Sequence, residues 1–447
     1  MEPALIAAYD RPVPRYTSYP TAAQFTAGVG PAEHARWLGE IAEASAALYL
    51  HVPFCRELCW YCACHTVAMR QPGTLAAYAR AMEAELALAA RASPGLVLDA
   101  IQWGGGTPSQ LGPDRILAVA RRVSALFDRR ADAEVSMEVD PRHCSAELVE
   151  AMATAGVTRA SLGVQDFDET VQHAINRVQS YRATSDAVER LRSAGIARLN
   201  IDLVYGLPHQ TPETVARTLD QAVALGPDRF AVFAYAHVPW MKRHQELIDP
   251  SVLPEASVRA EMADLVARRL IAAGYVRVGL DHYARRGDAL ARAAQGGTLR
   301  RTFQGYVAEA SPWVVGVGAS AISSLSGGYT QNAVDAGRYM AALEGGGFAT
   351  ARGIAIDAED RLRGEIIGRL MCAYEADVAD PCRRRGIAPA AFLASIEGLV
   401  ALSRDGLIDL DGTHVIVTQR GRPLVRSICA AFDRYYTGAS GRHSRAI

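Results

Sequence analysis

The chain carries, from residue 51 to residue 64, the segment His51-Val-Pro-Phe-Cys-Arg-Glu-Leu-Cys-Trp-Tyr-Cys-Ala-Cys64. Three of its cysteines, Cys55, Cys59 and Cys62, follow the spacing C-x3-C-x2-C, which suits three thiolates on one loop that bind three corners of a cubane iron–sulfur cluster. A 4Fe–4S cluster normally takes four cysteines. A compact trio without an obvious distant partner therefore leaves one iron open for a ligand that is also a reactant, and this predicts an enzyme.

Zinc is the alternative occupant of such a loop, and His51 and His65 could join it. Structural zinc sites usually take two pairs of ligands that are separated by a longer stretch. Here the four cysteines, including Cys64, crowd one loop, and no second pair of Cys or His follows at the spacing of a zinc finger. The pattern therefore favours a cluster over zinc.

The composition is typical of a soluble cytoplasmic enzyme. A chain of 447 residues is ample for a large core and predicts two domains. Half of the residues are hydrophobic, yet no apolar stretch reaches the roughly 18 residues that a transmembrane helix needs. Met1–Asp10 has no basic region and its apolar run is broken early, so we do not expect a signal peptide. A net charge of −1 gives no reason to expect nucleic acid or a membrane as a partner.

Short apolar runs alternate with alanine-rich amphipathic segments over the first half of the chain. The runs predict strands at Ala46–Val52, Val97–Trp103, Glu134–Val139, Arg159–Val164, Leu199–Val204 and Arg229–Phe233. The segments between them predict helices, among them Leu75–Ala90, Asp114–Phe127, Ser145–Ala155 and Pro212–Leu225. This alternation predicts βαβ units and a parallel sheet. Six repeats predict an α/β fold with an incomplete (β/α)6 barrel, whose catalytic groups lie at the carboxyl ends of the strands.

The pattern changes after about residue 350. Ala358–Tyr374, Pro389–Asp405 and Pro423–Tyr436 predict helices, and Leu407–Val417 predicts a hairpin that turns at Asp411-Gly412. Helices with a small hairpin suggest a winged helix, but the chain is not basic overall, which favours a lid or packing domain over a DNA-binding one. We therefore expect an N-terminal lid segment (1–40), a catalytic domain (41–348) and a mainly helical, winged-helix-like C-terminal domain (349–447).

Glycine-rich and polar motifs follow four of the predicted strands. Trp103-Gly-Gly-Gly-Thr-Pro108 follows the second strand, and its glycines let backbone approach a ligand closely. Glu138-Val-Asp-Pro141 ends the third strand. Ser161–Asp166, followed by Asn176-Arg177, and Asp202–Pro208 occupy the same places on the fourth and fifth strands. Each motif alone is consistent with an ordinary turn or strand end, and only the set indicates a ligand site.

These features resemble the radical S-adenosylmethionine (SAM) enzymes, in which an aromatic residue typically precedes the third cluster cysteine, as Tyr61 does here. The additional Cys64 resembles one family in particular, the oxygen-independent coproporphyrinogen III oxidases (dehydrogenases) of haem biosynthesis. Ala63 and Val307-Ala308 depart from the family pattern, where glycine and threonines are common, and the second departure could alter substrate contacts. Further segments are similar to the family in its own order: Pro14–Pro20, which resembles a segment thought to cover the active site, Tyr235–Pro239, Gly279–Ala284, Phe303–Tyr306 and Pro423–Cys429.

The resemblance implies a set of cofactor-binding residues. Cys55, Cys59 and Cys62 would bind the cluster, and the amino and carboxylate groups of SAM would chelate its fourth iron. Cys64 and Tyr49 would take part in catalysis, although Cys64 could instead be an inert thiol, a hydrogen donor or a group that tunes the electron path. A first SAM would contact Tyr49, Gly105, Glu138 and Ile322, and a second SAM would contact Tyr61, Gly106, Thr107, Gln165, Arg177, Asp202 and Ala236.

The chemistry that the resemblance implies is an oxidative decarboxylation. A low-potential donor such as a flavodoxin or ferredoxin reduces the cluster, and homolysis of SAM yields a 5′-deoxyadenosyl radical that takes hydrogen from the β-carbon of a propionate. The substrate radical then loses carbon dioxide and one electron, and a vinyl group remains. Performed twice, this converts coproporphyrinogen III to protoporphyrinogen IX. The family precedent is a monomer.

Substrate recognition and rival functions stay open at this point. Propionates need cations or N–H donors, and Arg15, Arg300 and Arg301, with Gln304 beside them, are the candidates, the alternative being ordinary surface charges. A related haem chaperone also carries the cysteine trio but typically lacks the counterpart of Cys64. A related radical methyltransferase that opens the haem ring and a winged-helix regulator with an iron–sulfur sensor are the other two rivals.

Overall fold

The computed structural model describes residues 5, 8–309, 311–438 and 443–446, and the elements named below belong to that part of the chain. Its strands, numbered in chain order, are β1 Ser45–Val52, β2 Phe54–Cys55, β3 Val67–Ala68, β4 Val97–Gly105, β5 Asp128–Val139, β6 Arg159–Gln165, β7 Arg198–Tyr205, β8 Arg229–Ala234, β9 Tyr275–Val278, β10 His282–Arg285, β11 Arg300–Thr302, β12 Gly305–Val307, β13 Val314–Val317, β14 Ile322–Leu325, β15 Gly328–Asn332, β16 Thr350–Ala355, β17 Glu375–Asp377, β18 Ile408–Asp411 and β19 His414–Val417.

The α-helices span Pro31–Gly39, Pro72–Ala92, Pro113–Leu126, Ala146–Thr154, Glu169–Ala174, Tyr181–Ser193, Pro212–Ala224, Ala256–Ala272, Ala289–Gln295, Ala336–Glu344, Ala358–Ala373, Ala379–Arg383, Pro389–Ala394, Leu399–Arg404 and Val425–Ala431. Side-chain oxygens cap several of them: Ser145 Oγ accepts a hydrogen bond from the amide of Leu148, and Thr211 Oγ1 accepts one from the amide of Thr214. Among the described residues, none of the helices has both the length and the apolar character that a bilayer crossing demands.

Twelve strands form one sheet in the order β16-β15-β14-β13-β1-β4-β5-β6-β7-β8-β10-β9. The seven strands from β13 to β8 in this order run parallel, and the remaining strands add antiparallel edges on both sides. The six predicted strands are confirmed as β1 and β4 to β8. Since no pairing in the described residues joins β16 to β9, the parallel strands form an incomplete barrel. The sequence did not indicate β13, a fully buried strand of four residues that extends the parallel set next to β1.

Parallel order places the functional motifs at one edge of the sheet. β1 is buried at six of its eight positions, as expected where helices cover the sheet. The cysteine loop follows β1, and the glycine motif ends β4. Glu138 and Gln165 stand at the carboxyl ends of β5 and β6. All four features therefore meet at the end of the barrel where catalytic groups are expected.

The N-terminal segment shares a buried core with the C-terminal elements. Tyr9, Tyr16 and Tyr19 are buried there among apolar side chains of residues 362–432. The Tyr16 hydroxyl donates to Asp433 at 3.1 Å, and the guanidinium of Arg426 donates to the carbonyls of residues 13 and 14. The segment is therefore held against the C-terminal helices. Residues 1–4, 6 and 7 of the expected lid segment lie outside the described residues, as do 439–442 and 447 of the expected C-terminal domain, and the three domain boundaries stay a prediction.

The C-terminal elements form a winged-helix-like unit. The predicted hairpin is confirmed as β18 and β19, and β17 pairs with β19 to make a three-stranded sheet. The predicted helix over Pro389–Asp405 is wrong as a single element, because the chain forms two short helices there. Gly398, between them, has φ of 87°, which is outside the right-handed helical region, so one helix cannot continue through this residue. The last predicted helix is shorter than expected and spans Val425–Ala431.

A buried ion-pair network joins β5, β6 and β8 to the helix Ala289–Gln295. Asp288 accepts a hydrogen bond from Arg159 Nη2 at 2.9 Å and one from Arg229 Nε at 2.7 Å, and it caps the helix Ala289–Gln295. Glu134 on β5 pairs with the same two arginines. The two guanidiniums, which are only 5% and 12% exposed, thus depend on two carboxylates for their neutralisation.

Asp288→Ala is expected to lower the free energy of unfolding by about 3–5 kcal/mol, because it leaves two buried guanidiniums short of a carboxylate. Asp132→Ala is the matched control, since Asp132 pairs with Arg130 on the surface and is 78% exposed; its cost should stay below about 1 kcal/mol. Urea denaturation of both variants measures the difference. Equal midpoints for the two variants would show that the network contributes nothing to stability.

Candidate active site

The cysteine loop begins where β1 ends and is tied down by a short parallel pairing of β2 with β3. Cys55, Cys59, Cys62 and Cys64 all carry free thiols. They line one cavity of about 460 Å³, called here the cysteine cavity, together with residues from the carboxyl ends of β4 to β8. The loop and the strand ends therefore face the same space.

Three side chains from one distant segment hold the loop by its backbone. Lys242 Nζ donates to the carbonyl of Cys64 at 2.8 Å, and Gln245 Nε2 donates to the carbonyl of Tyr61 at 2.9 Å. A ring nitrogen of His244 lies 2.6 Å from the carbonyl oxygen of Cys62. The sequence analysis missed these residues, since nothing in their local pattern relates them to a loop about 180 positions earlier.

The other side of the loop is held by residues that follow β6. Asn176 Nδ2 donates to the carbonyl of Leu58 at 2.9 Å, and the amide of Trp60 donates to the carbonyl of Ile175 at 2.9 Å. Asn176 adopts φ of 53°, a conformation that asparagine tolerates better than most residues. The loop is thus fixed on both flanks.

Donors surround the thiols of the trio. Thr107 Oγ1 donates to Cys55 Sγ at 3.5 Å, and Arg177 Nη1 donates to Cys59 Sγ at 3.4 Å. Burial raises the pKa of Cys55 to about 11, against the effect of the Thr107 hydrogen bond. The pKa of Cys62 is lowered to about 6, chiefly by a hydrogen bond from the Cys64 thiol, whose own pKa is raised by the same contact.

The thiols and the donors around them fit an iron–sulfur cluster. In a cubane cluster each cysteine binds a different iron, so the thiols border the same space without converging on one point. Donors to sulfur from Thr107 and Arg177 suit thiolates that carry negative charge.

Neighbouring protein atoms require the glycines at the end of β4. Gly105 has φ of 116°, and a Cβ there would lie 2.8 Å from the ring of His51. A Cβ on Gly106 would lie 2.9 Å from the carbonyl oxygen of Phe54. The glycines therefore let β4 pack against β1 and the cysteine loop. The sequence analysis explained them only by the close approach of a ligand.

Two half-buried acids, Glu138 and Asp202, stand beside each other at the strand ends. Glu138 accepts a hydrogen bond from the amide of Gly105 at 3.1 Å. Asp202 accepts one from Ser161 Oγ at 3.0 Å and one from Asn200 Nδ2 at 2.7 Å. Burial, and then the charge of Asp202, raise the pKa of Glu138 to about 8. A positive charge brought into this space would be stabilised, because neither acid forms an ion pair with a cation in the described residues.

Arg177 connects the cysteine loop to the strand ends. It is buried, and its Nη2 atom donates to the carbonyl of Gly163 and lies 3.4 Å from Asp140 Oδ1. Asp140 also pairs with Arg142 at 2.6 Å. Although burial opposes it, the two guanidiniums lower the pKa of Asp140 to about 2. Arg177 Nε has no hydrogen-bond partner in the structure, so this cation retains capacity for an anion.

Every predicted site residue lines the cysteine cavity or a larger adjoining cavity of about 1110 Å³. Cys64, Gly105, Glu138, Arg301 and Gln304 border both spaces. The residues assigned to a first SAM all line the larger cavity: Tyr49, Gly105, Glu138 and Ile322. Those assigned to a second SAM all line the cysteine cavity: Tyr61, Gly106, Thr107, Gln165, Arg177, Asp202 and Ala236.

The candidate substrate residues differ in their surroundings. Arg15 lines the cysteine cavity and makes no hydrogen bond or ion pair within the described residues. Arg301 is bound by Asp281 at 3.6 Å and stacks over Tyr306 at 4.5 Å. Arg300 lines the larger cavity but donates to the carbonyl of residue 311. Gln304 Nε2 is buried and has no hydrogen-bond partner in the structure. Asp281, to which the sequence analysis gave no role beyond its place in the segment Gly279–Ala284, is part of this region.

Tyr49 reaches the larger cavity from β1. Its hydroxyl lies 3.0 Å from Nδ1 of His51, and burial raises the pKa of Tyr49 well above its ordinary value. His51 is held in turn by Ser320, whose Oγ lies 3.2 Å from Nε2. Burial lowers the pKa of His51 to about 4, so the imidazole is neutral at neutral pH. The pair therefore offers hydroxyl and imidazole dipoles without a net charge.

Comparison with known proteins places these features in one family. Residues 49–222 match the family model described as the radical SAM superfamily. The chain is 46% identical over 437 residues to the oxygen-independent coproporphyrinogen III oxidase of Bradyrhizobium diazoefficiens, an alignment that covers 97% of each chain. It is 44% identical over 441 residues to the protein of the same name from Paracoccus denitrificans, covering 98% of this chain and 97% of that one.

A solved structure matches the whole architecture. The coproporphyrinogen III oxidase of Escherichia coli, described as a radical SAM enzyme, is similar with a TM-score of 0.91 and 35% sequence identity. The match covers 97% of this chain and 99% of that one. A similarity of this extent includes the barrel and the winged-helix-like elements alike.

Proposed function

Because this chain belongs to the oxygen-independent coproporphyrinogen III oxidases of the radical SAM superfamily, we propose that it catalyses the oxidative decarboxylation for which that family is named. The reaction converts two propionate side chains of coproporphyrinogen III to vinyl groups and gives protoporphyrinogen IX in anaerobic haem biosynthesis. The observation that carries the proposal is the three-cysteine loop at the carboxyl end of β1, in a chain 46% identical to a relative of that name over 97% of its length.

The cofactors are a 4Fe–4S cluster and SAM. Bound together, they supply a carbon-centred radical strong enough to break an unactivated C–H bond, which no side-chain acid or base can do. We propose that Cys55, Cys59 and Cys62 hold the cluster. The donors from Thr107 and Arg177 support this proposal, because they stabilise the thiolate form of two of these cysteines.

We propose further that the enzyme holds two SAM molecules, one in each adjoining cavity. The support is the placement of the predicted contacts: the second set lines the cysteine cavity alone, and the first set lines the larger cavity, with Gly105 and Glu138 bordering both. A bound ammonium or sulfonium group would favour the ionised forms of Glu138 and Asp202, which then supply its counter-charge, and Arg177 supplies positive charge for a carboxylate. Glu138 borders both cavities, so either ligand can contact it.

The chain's own residues orient the reactants and exclude water. Arg15 and Thr17 of the N-terminal segment line the cysteine cavity, so this segment covers part of the site. Its tyrosines are anchored in the C-terminal core, which keeps the cover in place. Enclosure of this kind strengthens electrostatic contacts and protects a reactive intermediate from solvent.

Several further properties are proposed on the family pattern. Arg15, Arg300, Arg301 and Gln304 are proposed to bind the propionates, supported by their positions on the two cavities. The electron comes from a low-potential protein such as a flavodoxin or ferredoxin. The enzyme is proposed to act as a cytoplasmic monomer without nucleic acid or membrane, consistent with a net charge of −1.

Arg15→Ala is expected to raise the KM for coproporphyrinogen III about tenfold or more, because a charge-assisted hydrogen bond is worth about 1.5–3 kcal/mol. The kcat and the slow cleavage of SAM without substrate should be retained, since Arg15 belongs to neither of the two proposed sets of SAM-binding residues. Arg11→Ala, an exposed arginine nearby, serves as the control. An unchanged KM would remove Arg15 from the substrate site.

Anaerobic turnover of the reconstituted protein tests the function as a whole. The assay contains SAM, a low-potential reductant and coproporphyrinogen III, and mass spectrometry follows the porphyrin products. We expect loss of two carbon dioxide units and four hydrogens, with release of 5′-deoxyadenosine. Cleavage of SAM without decarboxylation would contradict the proposal and favour the chaperone or methyltransferase alternatives.

A further inference from the structure

A small cavity of about 100 Å³ adjoins the cysteine cavity. It lies where the barrel meets the N-terminal segment, the helix Ala256–Ala272 and the C-terminal helix Val425–Ala431. It is called here the basic cavity and is defined by Arg15, Arg277, Arg301, Arg426, Asp264 and Asp281. Since Arg15, Asp281, Arg301 and Phe233 line both spaces, a substituent of a molecule in the cysteine cavity can enter the basic cavity.

The lining of the basic cavity holds more positive than negative charge, with four arginines against two aspartates. Asp264 is exposed on its helix. Asp281 is already bound by Arg301 and, at 2.7 Å, by His282. Burial, and then the charges of the neighbouring Arg15 and Arg301, lower the pKa of Arg426 to about 9, as expected where cations crowd together.

Donors in this cavity also outnumber acceptors. Nε and Nη1 of Arg301 and Nε of Arg277 are buried and have no hydrogen-bond partner in the structure. The side chain of Arg301 is only 6% exposed. Arg15 makes no hydrogen bond within the described residues, and neither do the hydroxyls of Tyr205 and Tyr283, which line the same cavity. Buried guanidinium donors without acceptors are costly, so this lining suits an anion.

The shape of the lining restricts the kind of anion. Val232, Phe233 and Leu280 supply apolar surface beside the guanidiniums. A volume of about 100 Å³ accommodates a short side chain and excludes a porphyrin ring. The combination matches a carboxylate on a short aliphatic chain, which is what each propionate of the proposed substrate presents.

We propose that the basic cavity is a carboxylate subsite that holds a propionate of the substrate other than the one that reacts in that binding event. This inference rests on the proposed function and adds Arg277 as a residue that determines substrate specificity. Anchoring one propionate fixes the macrocycle, so that a different propionate is held within reach of the reacting groups.

Arg277→Gln tests the subsite, because glutamine keeps a polar side chain but lacks the positive charge and the bidentate hydrogen-bonding geometry of the guanidinium. We expect the KM for coproporphyrinogen III to rise about ten- to hundredfold with a small change in kcat, the effect of losing a charge-assisted contact. SAM cleavage without substrate and the thermal midpoint should be retained. Arg285→Gln is the matched control, since Arg285 lies on the paired strand, over Tyr275 and away from the cavity, and should behave as wild type.

A binding measurement separates the contact from general effects. Fluorescence titration with coproporphyrin III and with its tetramethyl ester compares a probe that has carboxylates with one that lacks them. Arg277→Gln should weaken binding of the acid and leave binding of the ester unchanged. An unchanged KM and an unchanged affinity for the acid would overturn the subsite. Loss of affinity for both probes would also overturn it, because the arginine would then act through the fold.

Different results would refute the proposed function and the carboxylate subsite. A wild-type protein that neither binds nor decarboxylates the substrate would refute the proposed function itself. A wild-type protein that does both, with Arg277→Gln indistinguishable from it, would refute only the carboxylate subsite. Arg277→Lys is a second test. Its KM for coproporphyrinogen III should lie between those of the wild type and Arg277→Gln, since lysine restores the charge without the bidentate geometry.

Discussion

Cys59→Ser is expected to abolish the cluster and turnover together, whereas Cys64→Ser is expected to keep the cluster and lose turnover. Cys59 is buried and receives a hydrogen bond from Arg177, as suits a thiolate ligand. Cys64 is exposed to the cavities, borders both of them and donates its thiol hydrogen toward Cys62. A serine hydroxyl can replace that donation, but it cannot transfer a hydrogen atom or an electron as a thiol does.

Iron and sulfide content, visible absorbance and anaerobic turnover distinguish the two variants. Cys144→Ser is the control, because Cys144 is buried in the core, lines neither cavity and should leave all three readings at the wild-type level. Loss of iron from Cys64→Ser would make Cys64 a cluster ligand. Full turnover of Cys64→Ser would instead make it an inert thiol.

Arg177→Gln is expected to lower kcat/KM about a hundredfold or more while the protein still binds iron. The buried guanidinium contacts the Cys59 sulfur, the carbonyl of Gly163 and Asp140. A charge-assisted hydrogen bond from it to a bound carboxylate is worth about 1.5–3 kcal/mol. Arg142 still neutralises Asp140, so the fold should survive the change. The loss should therefore fall on the proposed second SAM, whose carboxylate would lose its cation.

The stoichiometry of SAM binding makes this prediction specific. Equilibrium binding should give two SAM per wild-type chain and one per Arg177→Gln chain. Arg182→Gln is the matched control, because Arg182 lies close in sequence but is 89% exposed and should bind and react as wild type. A single SAM in the wild type would refute the second site. Unchanged activity of Arg177→Gln would show that its contacts are only structural.

Local patterns determined much of the fold and of the site. Buried parallel strands are short apolar runs, so each of the six could be recognised from its own residues. Most of the predicted strand ends lie within one or two positions of the observed ones. Their parallel order then required the carboxyl ends to meet, which placed Glu138, Gln165 and Asp202 on common cavities before any contact was known. The cysteine spacing is equally local, because one loop carries all three proposed ligands.

Local patterns failed where the residues are few or where a glycine interrupts them. β13 is a strand of four residues, too short to distinguish from other apolar runs. The two helices on either side of Gly398 form one amphipathic pattern, and only the backbone conformation separates them.

By itself, then, the sequence determined the barrel strands, the cysteine loop and the resemblance that names the chemistry. Only the tertiary structure decided what supports them. It brought Lys242, His244 and Gln245 to the loop backbone, and it gathered Arg277, Arg301 and Arg426 around one small cavity. The physical reason is that a periodicity or a spacing reports which face of an element is buried. Which distant side chains meet at that face depends on how the elements pack. The partners of a buried charge are therefore known only from the tertiary structure.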